Sequence, residues 1–506
     1  MILSNRSTNA TALADTTPHV RTWPDRRTLA HCLLLAGVVI GSYYGMWRAY
    51  FATLDDFGIT GWVRHQATLW DALQGYGSGV RFFNYVPIWL KTRFFGLDAA
   101  PYLWSSLLQY LLLTWLVYGF ARLISGRSGW ALLAALLFAT NYSHYEVVTH
   151  VSASDYTLWA GVYLTVLLLF ALSLRRESPT LYWSAVALYG VLAFAHDFTL
   201  SLPLVLAAYQ LTLGRGVCAL WSLGWRDLRC HLPFWGIWAI HVGLQLQLVL
   251  AGTSEAVYSA NGYAPGLHLL PNLRYLIFVA MPNMTIAPIQ NFLSAHLPVA
   301  VVAGLWTGAM LLGTLFHGIL LWLFWRGSAR IRFALALLYL PFLQYTLWQG
   351  HFIEAPRYLL LPSIGYSLLL IEVGYTAINT VSHQARQSMA RLLLLLLVLT
   401  MAGNIAVIQV WVQQHIENGH LRQAVVTTLA THYSSLTAQD QLWLEVPQAK
   451  FLDLAAACRF VYPHYVPCSA FVTGATPPES EDTETGVTYW LRVTGTGIEQ
   501  IQPDQE

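Results

Sequence analysis

The side chains able to do acid, base or anion-binding chemistry are few in this chain and fall in short clusters. An adjacent pair, Asp55-Asp56, comes first. His144, Glu146, His150 and Asp155 follow in one stretch, then His196-Asp197, then His351, Glu354 and Arg357. Two neighbouring carboxylates raise each other's proton affinity, which suits a general base. A guanidinium is built to hold a phosphate or carboxylate through two parallel hydrogen bonds. Each cluster also has a plainer reading. Asp55-Asp56 fits a turn or helix N-cap, and Asp155 and Asp197 each precede an apolar run that they can cap. Glu354 and Arg357 have the spacing of a surface ion pair of small value. His144 and His150 fit hydrogen bonding at a membrane interface.

The elements that must position these residues are set by composition. The 506 residues are 56% hydrophobic, 14% aromatic and only 10% charged, with a mean hydropathy of +0.49. Soluble domains carry about 25% charged residues, so a soluble globular enzyme is excluded. A disordered chain and a basic nucleic-acid binder are excluded with it. Apolar stretches nearly free of charge and long enough to cross a bilayer as helices predict eleven spans: 28–47, 99–121, 129–147, 156–174, 178–196, 198–214, 231–251, 297–325, 333–350, 358–379 and 392–413. The stretch 275–296 is uncharged too, but Pro282, Asn283, Pro288, Gln290 and Asn291 make it a re-entrant or surface segment instead. The first span follows an Arg-bearing leader with no small-residue cleavage site after it and reads as an anchor.

Orientation follows from the basic residues, which favour the cytoplasmic side. With the N-terminus inside, 16 of the 27 basic residues fall on inner segments. The expected layout is a cytoplasmic tail over 1–27 and a transmembrane region over 28–413, with a first outer loop at 51–98 and a large one at 252–296. A small extracytoplasmic α/β domain covers 414–506, where ordinary polarity returns. The fold class is thus an all-α integral membrane bundle with a C-terminal α/β domain outside. Cys218 and Cys230 fall inside and should stay reduced, whereas Cys458 and Cys468 fall outside, as a disulfide or as two free thiols. The run Glu479, Glu481, Asp482, Glu484 beside Pro477-Pro478 reads as a solvated loop. In this layout Asp55, Asp56, Glu146, Asp155, Asp197, Glu354 and Arg357 all lie at the outer ends of spans. A ring of carboxylates with one arginine on a single face points to a catalytic cavity open to the outside.

The order of these stretches resembles the GT-C superfamily of polytopic glycosyltransferases that use a lipid-phosphate sugar. Within it the likeness is to the transmembrane and tetratricopeptide-repeat O-mannosyltransferases and their bacterial relatives. Four stretches between about residues 50 and 366 carry it. They are Leu54-Asp55-Asp56-Phe57-Gly58; Asn141-Tyr142-Ser143-His144-Tyr145-Glu146-Val147-Val148 with Val151-Ser152-Ala153-Ser154-Asp155; Ala195-His196-Asp197-Phe198 with Leu202-Pro203-Leu204; and Glu354-Ala355-Pro356-Arg357-Tyr358-Leu359-Leu360-Leu361-Pro362-Ser363-Ile364-Gly365. The sequence departs from the pattern in four ways. His196-Asp197 replaces a Lys-Glu, Tyr85-Val86-Pro87 stands where Arg-Pro is usual, Gln109 replaces a histidine, and the repeats are missing.

The resemblance implies an inverting transfer of a sugar from a polyprenyl-phosphate donor to an acceptor hydroxyl. The acceptor is a protein, a glycolipid or a polysaccharide, and the reaction takes place at the outer face of a membrane, the cytoplasmic membrane if the chain is bacterial. Asp55 would be the base, with Asp56 orienting it or the acceptor. Arg357 would hold the departing phosphate with help from His196, which Asp197 would position. His144, Glu146, His150, Asp155 and Glu354 would line the substrates. No cofactor is implied; a divalent metal between the acidic groups is compatible with the site but not required. Membrane lipids are the other expected partners, and nucleic acid is not one. Two competing readings are a transporter of polyprenyl lipid or solute, and a non-catalytic scaffold on the same fold. A transporter calls for charges near the membrane midplane, and only Glu372 sits within a span away from its outer edge.

Overall fold

The structure, a computed structural model, describes residues 26–51, 53–73, 80–214, 229–250, 264–265, 297–342, 348–349, 356–437 and 439–446. It also describes 457, 460–462, 466, 468–472, 487–494 and 498–500 of the C-terminal part. Glu354, His351, Cys218, Cys458, the acidic run at 479–484, residues 1–25 and all but two residues of 252–296 lie outside the described residues. So does the side chain of Asp197.

The described residues are mostly helical. In chain order the helices are α1 (Arg26–Ser42), α2 (Leu54–His65), α3 (Leu69–Leu73), α4 (Val86–Phe95), α5 (Ala99–Ser125), α6 (Ser128–Ala139), α7 (Tyr145–Thr149), α8 (Ser154–Arg176), α9 (Pro179–Ala193) and α10 (Leu202–Tyr209). They continue with α11 (Leu232–Leu250), α12 (Val299–Arg326), α13 (Ala329–Tyr339), α14 (Leu360–Thr380) and α15 (His383–His432). Among the described residues, four helical stretches are long and apolar enough to cross a membrane: Ala99–Ser125, Ser154–Arg176, Arg357–Thr380 and His383–His432. Shorter apolar helices accompany them.

Three of the predicted spans are interrupted within their length. The stretch 129–147 stops as a helix at Ala139, turns through Asn141 and restarts as α7. The asparagine side chain accepts from Ser143 N–H and Oγ–H at 3.1 and 2.8 Å, which satisfies the turn in place of helical bonds. The stretch 198–214 opens in a 3-10 turn over Asp197–Ser201 and closes in a π-turn over Gln210–Gly214. The helix predicted to run to residue 350 ends at Tyr339, and Trp348–Gln349 (β2) pairs instead with Ala264–Pro265 (β1). The breaks at Asn141 and Asp197 fall among the candidate residues. Backbone freed from helix at membrane depth is tolerated only inside protein or beside a cavity.

α5 packs on α6 and α8, and α13 on α14, around a core rich in buried tyrosine and phenylalanine, including Tyr43, Tyr102, Tyr110, Phe138 and Phe170. The α13–α14 contact is set by Gly365, where an added Cβ would lie 2.4 Å from Leu338 N and 2.7 Å from Ala334 O. Only glycine lets the two backbones approach so closely. α12 and α15 instead expose long apolar faces, with Leu311, Leu315 and Trp322 on one and Leu395, Leu399 and Val410 on the other.

α15 runs unbroken through the boundary expected at residue 413 and ends beside a four-stranded sheet. Its strands β3 (Gln441–Val446), β4 (Cys468–Val472), β5 (Thr488–Val493) and β6 (Ile498–Gln500) lie in the order β4-β3-β5-β6. β3 is parallel to both neighbours, and β5 and β6 are antiparallel. Leu442, Leu444, Val446, Leu491 and Val493 alternate onto the buried face. Cys468 is disulfide-bonded, whereas Cys32 and Cys230 carry thiols outside any disulfide.

Candidate functional site

α2 starts at a reciprocal cap. Thr53 Oγ1 accepts from Asp56 N–H at 3.1 Å, and Asp56 Oδ2 accepts from Thr53 N–H at 3.3 Å. Oδ1 of the same carboxylate accepts from both N–H and Oγ–H of Ser152 at 2.8 Å. Asp56 is 0% exposed. Its oxygens are committed to capping α2 and tying it to the turn before α8. Asp55, one residue earlier, is exposed and makes no such bonds. Its carboxyl is pushed above the ordinary carboxylate range, chiefly by the protein packed around it. The Arg357 cation opposes that push, Asp56 and Glu146 add to it, and His150 opposes it. Because the residue keeps exposed surface, water screening limits the shift. The adjacent pair is therefore divided into a structural carboxylate and a free one.

Glu146 on α7 and Arg357, just before α14, meet although 211 residues separate them. Arg357 Nη1 donates to Glu146 Oε1 at 2.5 Å, and Arg357 N–H donates to Oε2 at 3.2 Å. The guanidinium lies over two rings, 5.3 Å from the centroid of Tyr358 and 6.0 Å from that of Tyr156. Its Nε is buried and has no hydrogen-bond partner. A cation with one edge committed and another donor unspent can take a further anionic acceptor. The arginine also borders a narrow cleft of about 10 Å³ between Tyr156, Phe198, Pro341, Tyr358 and Pro362. That is room for about one water, so a larger group must part these side chains to enter.

The remaining predicted residues divide by surroundings. His150 Nδ1 lies 3.9 Å from Glu146 Oε1, and its ring stacks on His415 of α15 at 5.2 Å and 18°. His196 is buried, with Nδ1 accepting from Phe198 N–H at 3.4 Å. Its ring packs on Tyr156 at 4.3 Å and Phe198 at 4.4 Å, so it shares Tyr156 with Arg357. Asp155 is buried and both its carboxylate oxygens lack a hydrogen-bond partner. The buried Lys91 donates instead to the neighbouring Ser154 Oγ at 2.8 Å. Burial lowers the Lys91 pKa, and the Asp155 charge partly restores it.

His144 stands apart from the mouth. It is 0% exposed, with Nδ1 2.7 Å from Tyr110 Oη and Nε2 2.8 Å from Ser363 Oγ. Ser363 gives its own proton to Leu360 O at 2.7 Å. The Nε2–H of His144 is then the donor to Ser363, and Nδ1 faces the Tyr110 hydroxyl, which also lies 3.0 Å from Phe138 O. Both ring nitrogens are used inside the bundle, where they brace α5 against α14. His144, expected to line substrate, thus has both ring nitrogens engaged inside the bundle, and Asp56, expected to orient the base or the acceptor, caps α2.

Sequence reasoning missed Ser152, Tyr156, Lys91, Trp411 and His415. Trp411 stacks on Tyr145 at 4.8 Å and 12°. It stands at the end of a predicted span and His415 just beyond one, where nothing local separates them from ordinary interface residues. Lys91 left a readable signal, being a lone ammonium in the first outer loop four residues after a proline. Among the described residues, no three His, Cys, Asp or Glu side chains converge as a metal would need.

No family model matches the chain, and no curated protein matches it. Among solved structures, the crystal structure of ArnT from Cupriavidus metallidurans bound to undecaprenyl phosphate is similar at 14% identity and a TM-score of 0.41. The similarity covers 88% of this chain and 86% of that one.

Proposed function

We propose that the chain is an integral-membrane, inverting glycosyltransferase, moving a sugar from a polyprenyl-phosphate donor to an acceptor hydroxyl on the outer side of the membrane. One observation carries this reading: Arg357 with a spare donor, its partner Glu146 and the uncommitted carboxylate of Asp55 share one electrostatic neighbourhood at one end of the helices. They come from three distant parts of the sequence.

In this mechanism the acceptor O–H gives its proton to the Asp55 carboxylate as its oxygen attacks the anomeric carbon from the face opposite the phosphate. The carbon–oxygen bond to phosphate breaks, and polyprenyl phosphate leaves with the electron pair. A phosphate monoester departs as a stable anion, so no general acid is needed. Arg357 offsets its growing charge, and Glu146 holds the guanidinium in register. The raised proton affinity of Asp55 suits a base working near neutral pH. His196 and Tyr156 shape the far side of the same cleft, and Asp197 and Glu354 are proposed to line it with Asp155 and His150.

Purified protein in liposomes, given a radiolabelled polyprenyl-phosphate hexose and extracted acceptor fractions, tests the reading. Labelled product of inverted configuration supports it. Vectorial movement of label without new bonds would make the chain a transporter, and neither outcome a scaffold.

A further inference from the structure

Beyond the cap, α2 is held on two faces. Ile59, Trp62 and Val63 pack with Tyr85, Ile88 and Trp89 of the α4 region. Phe57, Gly61 and Arg64 form the other stripe, at helical spacing, and that stripe meets the C-terminal region. Phe460 is fully buried there, edge-to-face with Phe51 at 5.1 Å and with Phe57 at 5.7 Å. A Cβ on Gly61 would lie 3.5 Å from the Phe460 Cα, in ordinary contact. Arg64 Nη1 donates to the carbonyls of Phe460 and Val461 at 2.9 and 3.1 Å, and its guanidinium lies 5.8 Å from the Phe460 ring centroid. Burial lowers the Arg64 pKa, opposed by Tyr102 and Tyr50. A guanidinium taken partly out of water for two neutral carbonyls is an expensive fastening for a mere surface contact.

We infer that the C-terminal region is a working part of the site, with Phe460 and Arg64 as positioning residues that fix the helix carrying Asp55. The Phe460 ring enters beside Phe57, two residues from Asp55, so a change in its seating shifts the carboxylate relative to Arg357. A second fastening acts from the same direction. At Gly419 on α15 an added Cβ would lie 2.7 Å from Tyr50 N, so the last helix meets the segment leading into α2 backbone to backbone. That segment is therefore gripped by α15, and α2 itself by Phe460 and Val461. Catalysis tolerates displacements well under an ångström; a shift of about 1 Å costs about a hundredfold in rate.

The inference rests on the proposed transfer for its kinetic half and on geometry alone for the rest, so the test has two readouts. The full-length protein is compared as wild type, Phe460→Ala, and the milder Arg64→Lys, whose ammonium can reach one carbonyl. Hydrogen exchange over residues 54–65 should speed up by about tenfold or more in Phe460→Ala and less in Arg64→Lys, with 99–125 unchanged, because a loosened helix opens more often. With labelled polyprenyl-phosphate hexose, kcat should fall by about 10- to 100-fold in Phe460→Ala while the donor KM stays within about twofold. Arg64→Lys should fall between Phe460→Ala and wild type. Unchanged exchange in both variants overturns the fastening. Faster exchange with kcat within about twofold of wild type overturns the positioning role. If the wild type transfers no sugar, the functional reading fails by itself, and exchange over 54–65 still decides whether the C-terminal region holds α2.

Discussion

One ion pair precedes α14 and another lies within it, and the two differ in kind. Arg357, three residues before the helix, meets Glu146 at 2.5 Å, keeps a buried Nε without a partner and acts on the uncommitted Asp55 through its charge. Further along, Glu372 lies 3.9 Å from Arg330 of α13, and Arg127 rests 3.9 Å above the ring of Tyr375. These later charges join the start of α6, the start of α13 and α14, a brace between three neighbouring elements. The earlier ones are close-packed yet leave polar capacity unspent, which natural interiors rarely leave without a reason. The difference separates a candidate site from a strut, although both are an arginine and a glutamate on one helical stretch.

The contrast is broken or sharpened by substitution at each pair. The largest effect is expected at Asp55→Asn, which should reduce transfer by about 10²- to 10⁴-fold, the usual range for a general base. Insertion and folding should be retained, and full activity would remove the assignment. The same variant carries a stability sign. A carboxyl whose folded pKa is raised binds its proton more tightly folded than unfolded, so its ionisation works against folding as pH rises through that window. Asp55→Asn should therefore be no less stable than wild type at neutral pH in a thermal-shift measurement.

Next in size is Arg357. Arg357→Lys keeps charge but loses the fork and should raise the donor KM by about tenfold. Arg357→Ala leaves Glu146 buried without its guanidinium and should also cost about 3–5 kcal/mol of stability. Equal donor KM in Arg357→Lys and wild type would end its phosphate role. His144→Phe comes third. It removes the imidazole partner of Tyr110 and Ser363, which keep their carbonyl acceptors, so a loss of about 1–3 kcal/mol is expected, with kinetics otherwise unchanged. A selective change in donor or acceptor KM would return His144 to the site.

pH provides a subtler check. With Asp55 as base, kcat/KM should fall as pH drops through a value above the ordinary carboxylate range, because only the ionised form accepts a proton. An acid limb at an ordinary or lower pKa would point to another group. The smallest effect belongs to the Glu372–Arg330 pair. Glu372→Gln should cost about 1 kcal/mol or less, as the pair is loose and Arg330 partly exposed. Transfer should stay within about twofold of wild type. A large kinetic loss there would erase the distinction between the two pairs.

Much of the candidate site was legible as a set and little of it as an arrangement. Asp55, Glu146, His150 and Arg357 were picked out by residue type and by falling on one expected side of the membrane; in the structure Arg357 and His150 both lie beside Glu146, and all three act on Asp55 through their charges. Asp55 and Asp56 could not be told apart, since nothing in two consecutive aspartates says which one meets Ser152. His144 read as a site residue because Tyr110 and Ser363, which consume both its nitrogens, lie 34 and 219 residues away. Hydropathy found apolar stretches but not their breaks at Asn141, Asp197 and Tyr339, because a window average does not register where a side chain replaces a backbone bond.

By itself, the sequence determined that this chain lives in apolar surroundings, that its helices are numerous and that its few charges are sorted along it. Those properties follow from the cost of moving charge and unpaired backbone out of water, which local composition records. Only the tertiary structure decided which carboxylate is free, which arginine keeps a donor in hand and that the C-terminal region grips the helix beside them. Each of those depends on partners brought within about 3 Å across tens to hundreds of residues. Hydrogen-bond satisfaction is a property of such meetings, so it could not be read along the chain.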